Sequence, residues 1–413
     1  MIEKLSNSIE KCQICSEKNL EIVLSLGHQA MVQEYLNEQS KIHPKINYPL
    51  NLCRCKNCGL LQLNNIVDPQ IVFPKSYPYK TGMTNMLIRN FRSLSSELIK
   101  DLDLSDSDLV VDIGSNDGTL LQGFQENNIK VLGIEPTDVA DLAIENNIPT
   151  IKEYFNVDVA SHIIKNYGKA KLILATNVFA HINNIFEFLD GVKSLLNDDG
   201  VFVTESQYIV DAVEKNAFDT IYHEHLRFYS VKPLLKLFDL VGFSLVNAER
   251  INAAGGSIRI YAKVGKEKVN DNVNYLIKKE EQMGLYKTSR LSAFAEECVK
   301  VKYELLNLLT GLKKQNFKIV GIGSPARSNT LLGFSKIDSH ILDYICERKG
   351  SYKIGLYTPG THIPVVDEER LFQDQPDYAL ILSWHIGEEL IVKLKELGFK
   401  NKFILPLPKP KII

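Results

Sequence analysis

Apolar and polar positions along this chain follow two different periods, and the changes between them predict strands that alternate with helices. Short apolar runs occur at LVVDI, VLGI, KLILAT and GVFVTE, with helically spaced apolar residues between them. A helix before the first strand is predicted from the spacing of Leu87, Phe91, Leu94 and Leu98. Strands and helices in alternation form a parallel, doubly wound sheet, and the runs FSLVNAER and SIRIYAKV would extend its edge.

The chain of 413 residues is too long for one ordinary core, and its pattern divides it into four parts. Residues 1–75 carry most of the cysteines, and residues 76–265 hold the first α/β domain. Residues 266–315 are charged and amphipathic, which predicts a helical connector. The alternation restarts in residues 316–413, at FKIVGIGSPARSNTLL, ILDYICE, DYALILSWH and KFILPLPKP, and predicts a second, smaller α/β domain.

The composition argues against several classes of function. A formal net charge of −2 gives no general attraction to nucleic acid or to an anionic membrane. No apolar run approaches the roughly 20 residues that a membrane span needs. The N-terminal stretch MIEKLSNSIEKCQIC has no apolar signal core. We therefore expect a cytoplasmic monomer with no nucleic-acid or membrane partner.

Five of the seven cysteines lie in the N-terminal segment, where a reducing compartment disfavours disulfides. The pairs Cys12-x2-Cys15 and Cys55-x2-Cys58 each form a knuckle that presents two thiolates to a tetrahedral zinc ion. Cys53 is an alternative to Cys55 in CRCKNC, although the x2 spacing favours Cys55. A site of four cysteines has no open coordination position, so we expect the zinc to be structural.

Polar residues follow three of the predicted strands, at the edge where open α/β sheets bind ligands. The first strand runs into DIGSNDG, where glycine lets a ligand approach the backbone, and the second ends at an acidic residue that can accept hydrogen bonds from ribose hydroxyls. The turn is not GxGxxG, so a dinucleotide fits poorly and S-adenosylmethionine fits better. The expected cofactor-binding residues are Asp112, Gly114, Asn116, Asp117, Glu135 and Asn177.

The stretch FDTIYHEHLRFYS places two histidines around a glutamate. A metal site, a proton-transfer site and a polar surface loop are the three interpretations. The imidazoles are unlike the i, i+4 pair of a zinc-binding helix, which disfavours the metal. In the proton-transfer interpretation His225 takes a proton at neutral pH, Glu224 orients it, and Tyr222 completes the relay. His181, at the end of ATNVFAH, and His223 are alternative bases.

Several motifs together are similar to those of the sugar C-methyltransferase family, over nearly the whole chain. They are the two cysteine pairs with LSLGHQA between them, CGLLQL, YPYKTGM, VVDIGSNDGTLL, NVFAHI, FDTIYHEHL, AAGGSIRIY, GIGSPARSNTLL and GLYTPGTHIPV. The resemblance implies an α/β fold with a small N-terminal zinc-binding domain, a doubly wound Rossmann-like methyltransferase domain and a smaller C-terminal Rossmann-like α/β domain. It also implies methylation, from S-adenosylmethionine, at C3 of a nucleotide-linked 4-keto-6-deoxy sugar.

The resemblance also implies roles for particular residues. A ketone at C4 acidifies the C3 hydrogen, His225 removes it as the general base, and Tyr222 or His181 stabilises the enolate oxygen. Glu224 belongs to the same polar group, and the diphosphate would lie between the two α/β domains. The implied substrate-side residues are Tyr77 or Tyr79, Arg327, Asn329, Lys353 and His362.

The chain departs from the family pattern near the expected substrate contacts. Ser324, Arg327 and Ser328 stand where the family usually reads Ala, Lys and Gly, HEHLRFYS replaces HEHLSYFS, and YPYKTG replaces YxYxSG. Three alternatives stay open: C- or O-methylation of another small molecule, a zinc-ribbon module on an RNA methyltransferase, and a non-catalytic binding protein. The lack of a strong basic cluster in the N-terminal segment disfavours the second alternative.

Overall fold

The computed structural model describes residues 5–83 and 85–413, without the side chains of residues 83 and 85. The N-terminal part is built on an antiparallel sheet of order β11-β4-β3-β2, and its outer strand β11 (Arg227–Phe228) comes from much later in the chain. A small second sheet pairs β1 with β5. The elements are β1 (Ser6–Ser8), β2 (Leu20–Gln29), β3 (Tyr48–Cys55), β4 (Leu61–Leu63), β5 (Asn65–Val67) and α1 (Pro69–Val72).

The middle of the chain forms a seven-stranded sheet of order β12-β13-β10-β9-β6-β7-β8. Its strands are β6 (Leu109–Ile113), β7 (Lys130–Ile134), β8 (Thr150–Ile151), β9 (Ala170–Thr176), β10 (Leu196–Gln207), β12 (Phe243–Ile251) and β13 (Ser257–Val264). The five strands from β10 to β8 are parallel, and β12 and β13 extend the edge in antiparallel pairing, as the sequence pattern predicts. Strand β6 is buried along its whole length, which explains why it reads as a continuous apolar run.

Helices cover both faces of this sheet. They are α2 (Asn85–Asp101), α3 (Thr119–Gln125), α4 (Ala140–Glu145), α5 (Val157–Tyr167), α6 (Ile185–Leu195), α7 (Ile209–Glu214) and α8 (Val231–Leu240). Strand β11 (Arg227–Phe228) lies between α7 and α8. The predicted ridge on α2 is confirmed, because Leu87, Phe91, Leu94 and Leu98 are all buried.

The predicted connector consists of two helices, α9 (Asp271–Gln282) and α10 (Thr288–Lys313). They are separated at Gly284, whose φ of 73° is the left-handed conformation that glycine adopts without strain. Buried residues recur every three or four positions along α10, from Leu291 to Leu312. This face joins the apolar core that also includes the N-terminal sheet and the C-terminal domain.

The C-terminal part is a six-stranded sheet of order β16-β15-β14-β17-β18-β19, parallel except at β19. Its elements are β14 (Ile319–Ile322), α11 (Ala326–Ser335), β15 (Ile345–Glu347), β16 (Val365–Asp367), α12 (Glu369–Asp374), β17 (Tyr378–Ile381), α13 (Gly387–Glu396), β18 (Lys402–Leu405) and β19 (Lys411–Ile412). The mixed α/β class is confirmed. Among the described residues, no helix combines the length and the apolar character needed to cross a bilayer.

Candidate active site

The four predicted zinc ligands come together at one end of the N-terminal sheet. The Sγ atoms of Cys12, Cys15, Cys55 and Cys58 all lie within 4.8 Å of one another, and the Cys12–Cys58 and Cys15–Cys55 separations are both 3.5 Å. Tetrahedral zinc with bonds of about 2.3 Å needs sulfurs ~3.8 Å apart, so the set fits the ion. Cys53 is paired with Gln62 within the sheet and lies outside the cluster, which settles the choice in favour of Cys55.

A cavity of about 540 Å³ opens at the carboxyl ends of the central parallel strands and reaches the C-terminal domain. Most of the predicted site residues line it: Tyr77, Tyr79, Asp112, Gly114, Asn116, Glu135, Asn177, His181, Tyr222, Glu224, His225 and Arg327. Four others lie outside this lining: Asp117, Asn329, Lys353 and His362. The structure therefore brings together residues from three separate parts of the chain.

The inner end of the cavity is formed where β6 and β7 end. Gly114 has a φ of 74°, and a Cβ there would lie 2.4 Å from Val178, so only glycine fits this close approach. The carboxyl of Asp112 is buried, and burial, followed by the neighbouring charge of Glu135, raises its pKa well above the ordinary value. Glu135 accepts hydrogen bonds from the backbone N–H and the hydroxyl of Thr137, at 3.0 and 2.7 Å.

Asn116 and Asp117, whose side chains are predicted to bind the cofactor, hold a segment of the cavity wall in this structure. Asn116 Oδ1 accepts from the N–H of Thr81 at 2.8 Å, and its Nδ2 donates to the carbonyl of Tyr79 at 3.0 Å. Asp117 Oδ2 accepts from the N–H of Gly82 at 2.7 Å. These bonds tie the YPYKTG segment to the turn after β6, which the sequence pattern did not reveal.

His225 lies at the centre of the cavity wall, next to two aromatic rings. Its Nδ1 lies 2.9 Å from the carbonyl oxygen of Thr220, so Nδ1 carries the proton and Nε2 keeps its lone pair. The ring centroid is 4.1 Å from that of Tyr222 and 5.1 Å from that of His181. Burial lowers the pKa of His225 to about 4, so the imidazole is neutral at physiological pH.

Glu224 points to a different partner from the one expected. Tyr77 donates its hydroxyl to Glu224 Oε2 at 3.0 Å, while the carbonyl of Thr220 orients His225. Burial raises the pKa of Glu224 to about 7, against the opposing effects of the Tyr77 hydrogen bond and the Lys353 charge. Glu224 is therefore poised between its neutral and ionised forms near neutral pH.

The two other histidines near this loop have different surroundings. His181 is stacked between His225 and Phe73, whose ring centroid is 5.3 Å away, and burial followed by the proximity of His225 lowers its pKa well below the ordinary value. His223 Nε2 lies 3.3 Å from the carbonyl of Tyr48, outside the cavity lining. Of the two alternative bases, the structure places only His181 at the cavity.

Arg327 reaches the cavity from the start of α11, and its charge is already paired. It makes two hydrogen bonds to the carboxylate of Asp219, at 2.8 and 2.9 Å, and lies over the ring of Trp384. Trp384 donates its indole N–H to the same carboxylate at 2.7 Å. Asp219 is fully buried and precedes Thr220 directly. Asp219 and Trp384 were not predicted from the sequence, since neither belongs to a recognisable site pattern.

Two of the three remaining substrate-side residues, Asn329 and Lys353, lie next to Tyr35 of the N-terminal part. Asn329 donates to the carbonyl of Val32 at 2.7 Å and lies 3.2 Å from the Tyr35 hydroxyl. Lys353 donates to the carbonyl of Ser324, and its Nζ is 5.1 Å from the centroid of the Tyr35 ring. His362 is exposed, in the turn before β16. Two of the three predicted residues thus connect the C-terminal domain to the N-terminal part.

Comparison with known proteins adds the biochemical class. Three family models match successive parts of the chain: a zinc binding domain over residues 12–73, a methyltransferase domain over 87–248 and a C-methyltransferase C-terminal domain over 252–408. The chain is an S-adenosylmethionine-dependent C-methyltransferase with these three domains. C-methyltransferase NovU of Streptomyces niveus is 29% identical to it over 416 residues, which cover 100% of this chain and 99% of the relative.

Solved structures similar to the methyltransferase match it over less than half its length. A S-adenosylmethionine-dependent methyltransferase from Clostridium acetobutylicum is 10% identical, with a TM-score of 0.34, and covers 43% of this chain and 92% of its own. Magnesium protoporphyrin IX methyltransferase from Synechocystis, solved with bound S-adenosylmethionine, is 13% identical, with a TM-score of 0.33, and covers 44% of this chain and 80% of its own.

The cavity of the methyltransferase offers polar groups that fit its cofactor. Several buried polar atoms line it and have no partner among the described residues: Asp112 Oδ1, Ser115 Oγ, Ser206 Oγ, Gln207 Oε1, Glu224 Oε1, Arg227 Nε and His385 Nδ1. Unsatisfied buried polar atoms are costly, and a polar ligand would pair with them. The unpartnered atoms near β6 and β10 could pair with an amino acid group or a ribose, and S-adenosylmethionine carries both.

Proposed function

We propose that the methyltransferase transfers a methyl group from S-adenosylmethionine to C3 of a nucleotide-linked 4-keto-6-deoxy sugar, with His225 as the general base. The observation that carries this proposal is the contact between His225 Nδ1 and the Thr220 carbonyl oxygen in the cavity wall. Its Nδ1 proton is directed at the Thr220 carbonyl, and burial keeps the ring neutral, so the Nε2 lone pair is available at the cavity. A neutral imidazole at this position suits abstraction of a carbon-bound proton.

The proposed chemistry depends on the ketone. Its C4 carbonyl acidifies the hydrogen on C3, and His225 Nε2 accepts this proton while the electron pair moves onto the carbonyl oxygen as an enolate. Tyr222 and His181 lie beside His225 and are the candidate groups for stabilising that oxygen. Bound S-adenosylmethionine would supply the electrophilic methyl group: C3 would take it up as the C4 carbonyl re-forms, and S-adenosylhomocysteine would leave with the electron pair of the broken S–C bond. The proton removed from C3 stays on His225.

The cofactor would be held at the inner end of the cavity. Glu135, at the end of β7, has carboxylate oxygens that can accept from a ribose diol, and Asp112 and Asn177 line the same end. Gly114 and Asn116, in the turn after β6, line this end of the cavity as well. These contacts support the proposed cofactor residues Asp112, Gly114, Asn116, Glu135 and Asn177 as a group.

The nucleotide part of the substrate is proposed to extend toward the C-terminal domain. The cavity continues to Pro325, Arg327 and His385, so a ligand longer than a sugar can be accommodated. Arg327, with Lys353 nearby, gives this end positive charge, although Asp219 already offsets the charge of Arg327. The departures from the family motif at Ser324 and Ser328 lie beside Arg327, where they bear on the choice of nucleotide or sugar.

The deciding experiment is mass spectrometry of the enzyme with S-adenosylmethionine and a panel of nucleotide-linked 4-keto-6-deoxy hexoses. We expect one panel member to gain a single methyl group on carbon, and its 4-hydroxy analogue to gain none. Without the cofactor, the same sugar in D2O should exchange its C3 hydrogen, and His225→Asn should abolish this exchange. A methyl group on oxygen, or no product from any 4-keto sugar, would contradict the proposal.

A further inference from the structure

The strand that follows His225 belongs to the cysteine-bearing sheet. Strand β11 pairs with β4, with Arg227 opposite Gln62 and Phe228 opposite Leu61. The candidate base is thus two residues from a strand of the N-terminal domain, although the rest of its loop belongs to the methyltransferase domain. The two domains therefore meet at the active site.

The backbone of Leu226 links the zinc knuckle to the loop that carries His181. Its N–H donates to the carbonyl of Ala180 at 2.9 Å. Its carbonyl accepts from the N–H of Leu63 at 3.0 Å and from the side-chain amide of Gln13 at 3.2 Å. Gln13 lies between the zinc ligands of the first knuckle, so a knuckle side chain reaches the residue directly after His225.

Arg227 holds the same histidine loop from its other side. Its guanidinium donates to the carbonyl of Ile182 at 2.6 Å and to that of Asn183 at 2.9 Å. The side chain is only 2% exposed, and the residues described offer it no carboxylate within ion-pair distance. A buried cation without a counter-charge is costly. Burial lowers the pKa of Arg227, and the neighbouring Tyr229 hydroxyl, followed by the thiol of Cys12, opposes this effect.

We propose that Gln13, Leu226 and Arg227 form a brace between the zinc knuckle and the loop of residues 180–183, and that this brace sets His181 against His225. Arg227 and Gln13 act as positioning residues. The inference rests on the proposed function only for the reacting role of the two histidines. Three hydrogen bonds, to the carbonyls of Ala180, Ile182 and Asn183, fix the backbone on both sides of His181.

The brace is a feature of this sequence as well as of the fold. Arg227 stands where the family motif HEHLSYFS has serine. A serine side chain is too short to reach two successive carbonyls on a neighbouring loop. The two hydrogen bonds to the histidine loop therefore depend on the arginine that stands in place of that serine.

The test compares purified, zinc-loaded Arg227→Gln, Arg227→Lys and Gln13→Ala with the unchanged protein. We expect Arg227→Gln to lower kcat roughly 10- to 100-fold, as for a small misplacement of reacting groups. Gln13→Ala, whose site lies outside the cavity lining, should also lower kcat, with the Kd for S-adenosylmethionine unchanged. Carbon-13 signals of the His181 and His225 rings should shift, and zinc content should stay at one per chain. Arg227→Lys should recover part of kcat, because it keeps one donor and the charge.

The matched control is Arg54→Gln. Arg54 is also a buried arginine of the N-terminal sheet, but it donates to the carbonyl of Tyr286 and to Glu21, in the connector and the same sheet. Arg54→Gln should lower the melting temperature and leave the carbon-13 signals of His181 and His225 in place. The same pattern in Arg227→Gln and Gln13→Ala would overturn the brace, and if Arg227→Gln does not fold, Gln13→Ala decides alone. A lack of activity in the unchanged protein would contradict the proposed function, while the histidine signals would still test the brace.

Discussion

The imidazole rings of His181 and His225 are stacked, with centroids 5.1 Å apart and planes inclined by 18°. Phe73 covers the other face of His181, so one aromatic stack runs from α1 to the candidate base. Two cationic imidazoles at this distance would repel each other, and both rings are buried. The stack therefore favours the neutral form of both histidines, which is the form that proton abstraction requires.

The first prediction concerns the pH dependence of catalysis. The pKa of His225 is lowered from 6.5 to about 4, so its base form persists as the pH falls through the range in which a free histidine becomes protonated. We expect the decline of kcat/KM that is due to His225 to occur near pH 4, with no decline at pH 6.5. Steady-state rates between pH 5 and 8, corrected for the fraction folded, would check this. A decline centred on 6.5 that persists in Glu224→Gln, which cannot titrate near pH 7, would contradict it.

The second prediction separates the candidate base from its neighbour in sequence. His225→Asn should lower kcat by roughly 10²- to 10⁴-fold, because it removes the general base, while the affinity for S-adenosylmethionine stays the same. His223→Gln is the control, since His223 faces the carbonyl of Tyr48 outside the cavity lining. It should cost stability and leave kcat within about threefold. Equal losses of kcat in the two variants would remove the distinction.

The third prediction follows from burial of Glu224. Its folded pKa of about 7 lies above the ordinary value of 4.5, so the folded state binds the proton more tightly than the unfolded state. The protonated carboxyl therefore contributes to the free energy of unfolding, and this contribution is complete below pH 4.5 and is lost as the pH rises through 7. The glutamine of Glu224→Gln cannot ionise. As the pH rises from 4.5 to 8, we therefore expect the free energy of unfolding of this variant to increase by roughly 3 kcal/mol relative to that of the unchanged protein.

Urea denaturation at several pH values measures this difference, because other titrating groups are common to both proteins. Exposed Glu296→Gln on α10 is the matched control and should show no such trend. The hydrogen bond from Tyr77 can be retained by the glutamine carbonyl, so the variant changes charge with little change in shape. A constant difference between Glu224→Gln and the unchanged protein would contradict the raised pKa.

Local patterns predicted the parts of the site that short segments build. The CxxC pairs, strand β6 with Asp112 and the acidic residue after β7 each depend on neighbours in sequence. The structure brings the four cysteines together, extends β6 one residue past Asp112 to Ile113, and places Asp112 and Glu135 at the cavity. Contacts between distant segments were not predictable in this way. Asp219 and Arg327 are 108 residues apart, and the partner of His225 is a backbone carbonyl, which carries no sequence signal.

The fourth prediction concerns the buried ion pair that joins the catalytic loop to the C-terminal domain. Asp219→Asn leaves the Arg327 guanidinium buried without its counter-charge, so we expect a loss of about 3–5 kcal/mol in the free energy of unfolding. Asp219→Asn/Arg327→Gln should recover part of this loss, because neither charge is then left unpaired. Denaturant titration of the two single variants and the double variant gives the coupling. Additive losses would show that the pair is not coupled.

The last prediction tests the assignment of the zinc ligands. Cys55→Ser removes one of four converging thiolates, so we expect zinc content to fall well below one per chain and the melting temperature to fall with it. Cys53→Ala is the control, because Cys53 is equally buried and lies two residues away on β3, but its sulfur is outside the cluster. It should keep one zinc per chain, with a small loss of stability from the lost sulfur. Zinc measured by inductively coupled plasma mass spectrometry separates the two variants. If Cys53→Ala lost the zinc and Cys55→Ser kept it, CRCKNC would bind through Cys53, and the turn after β3 would have to differ from the structure.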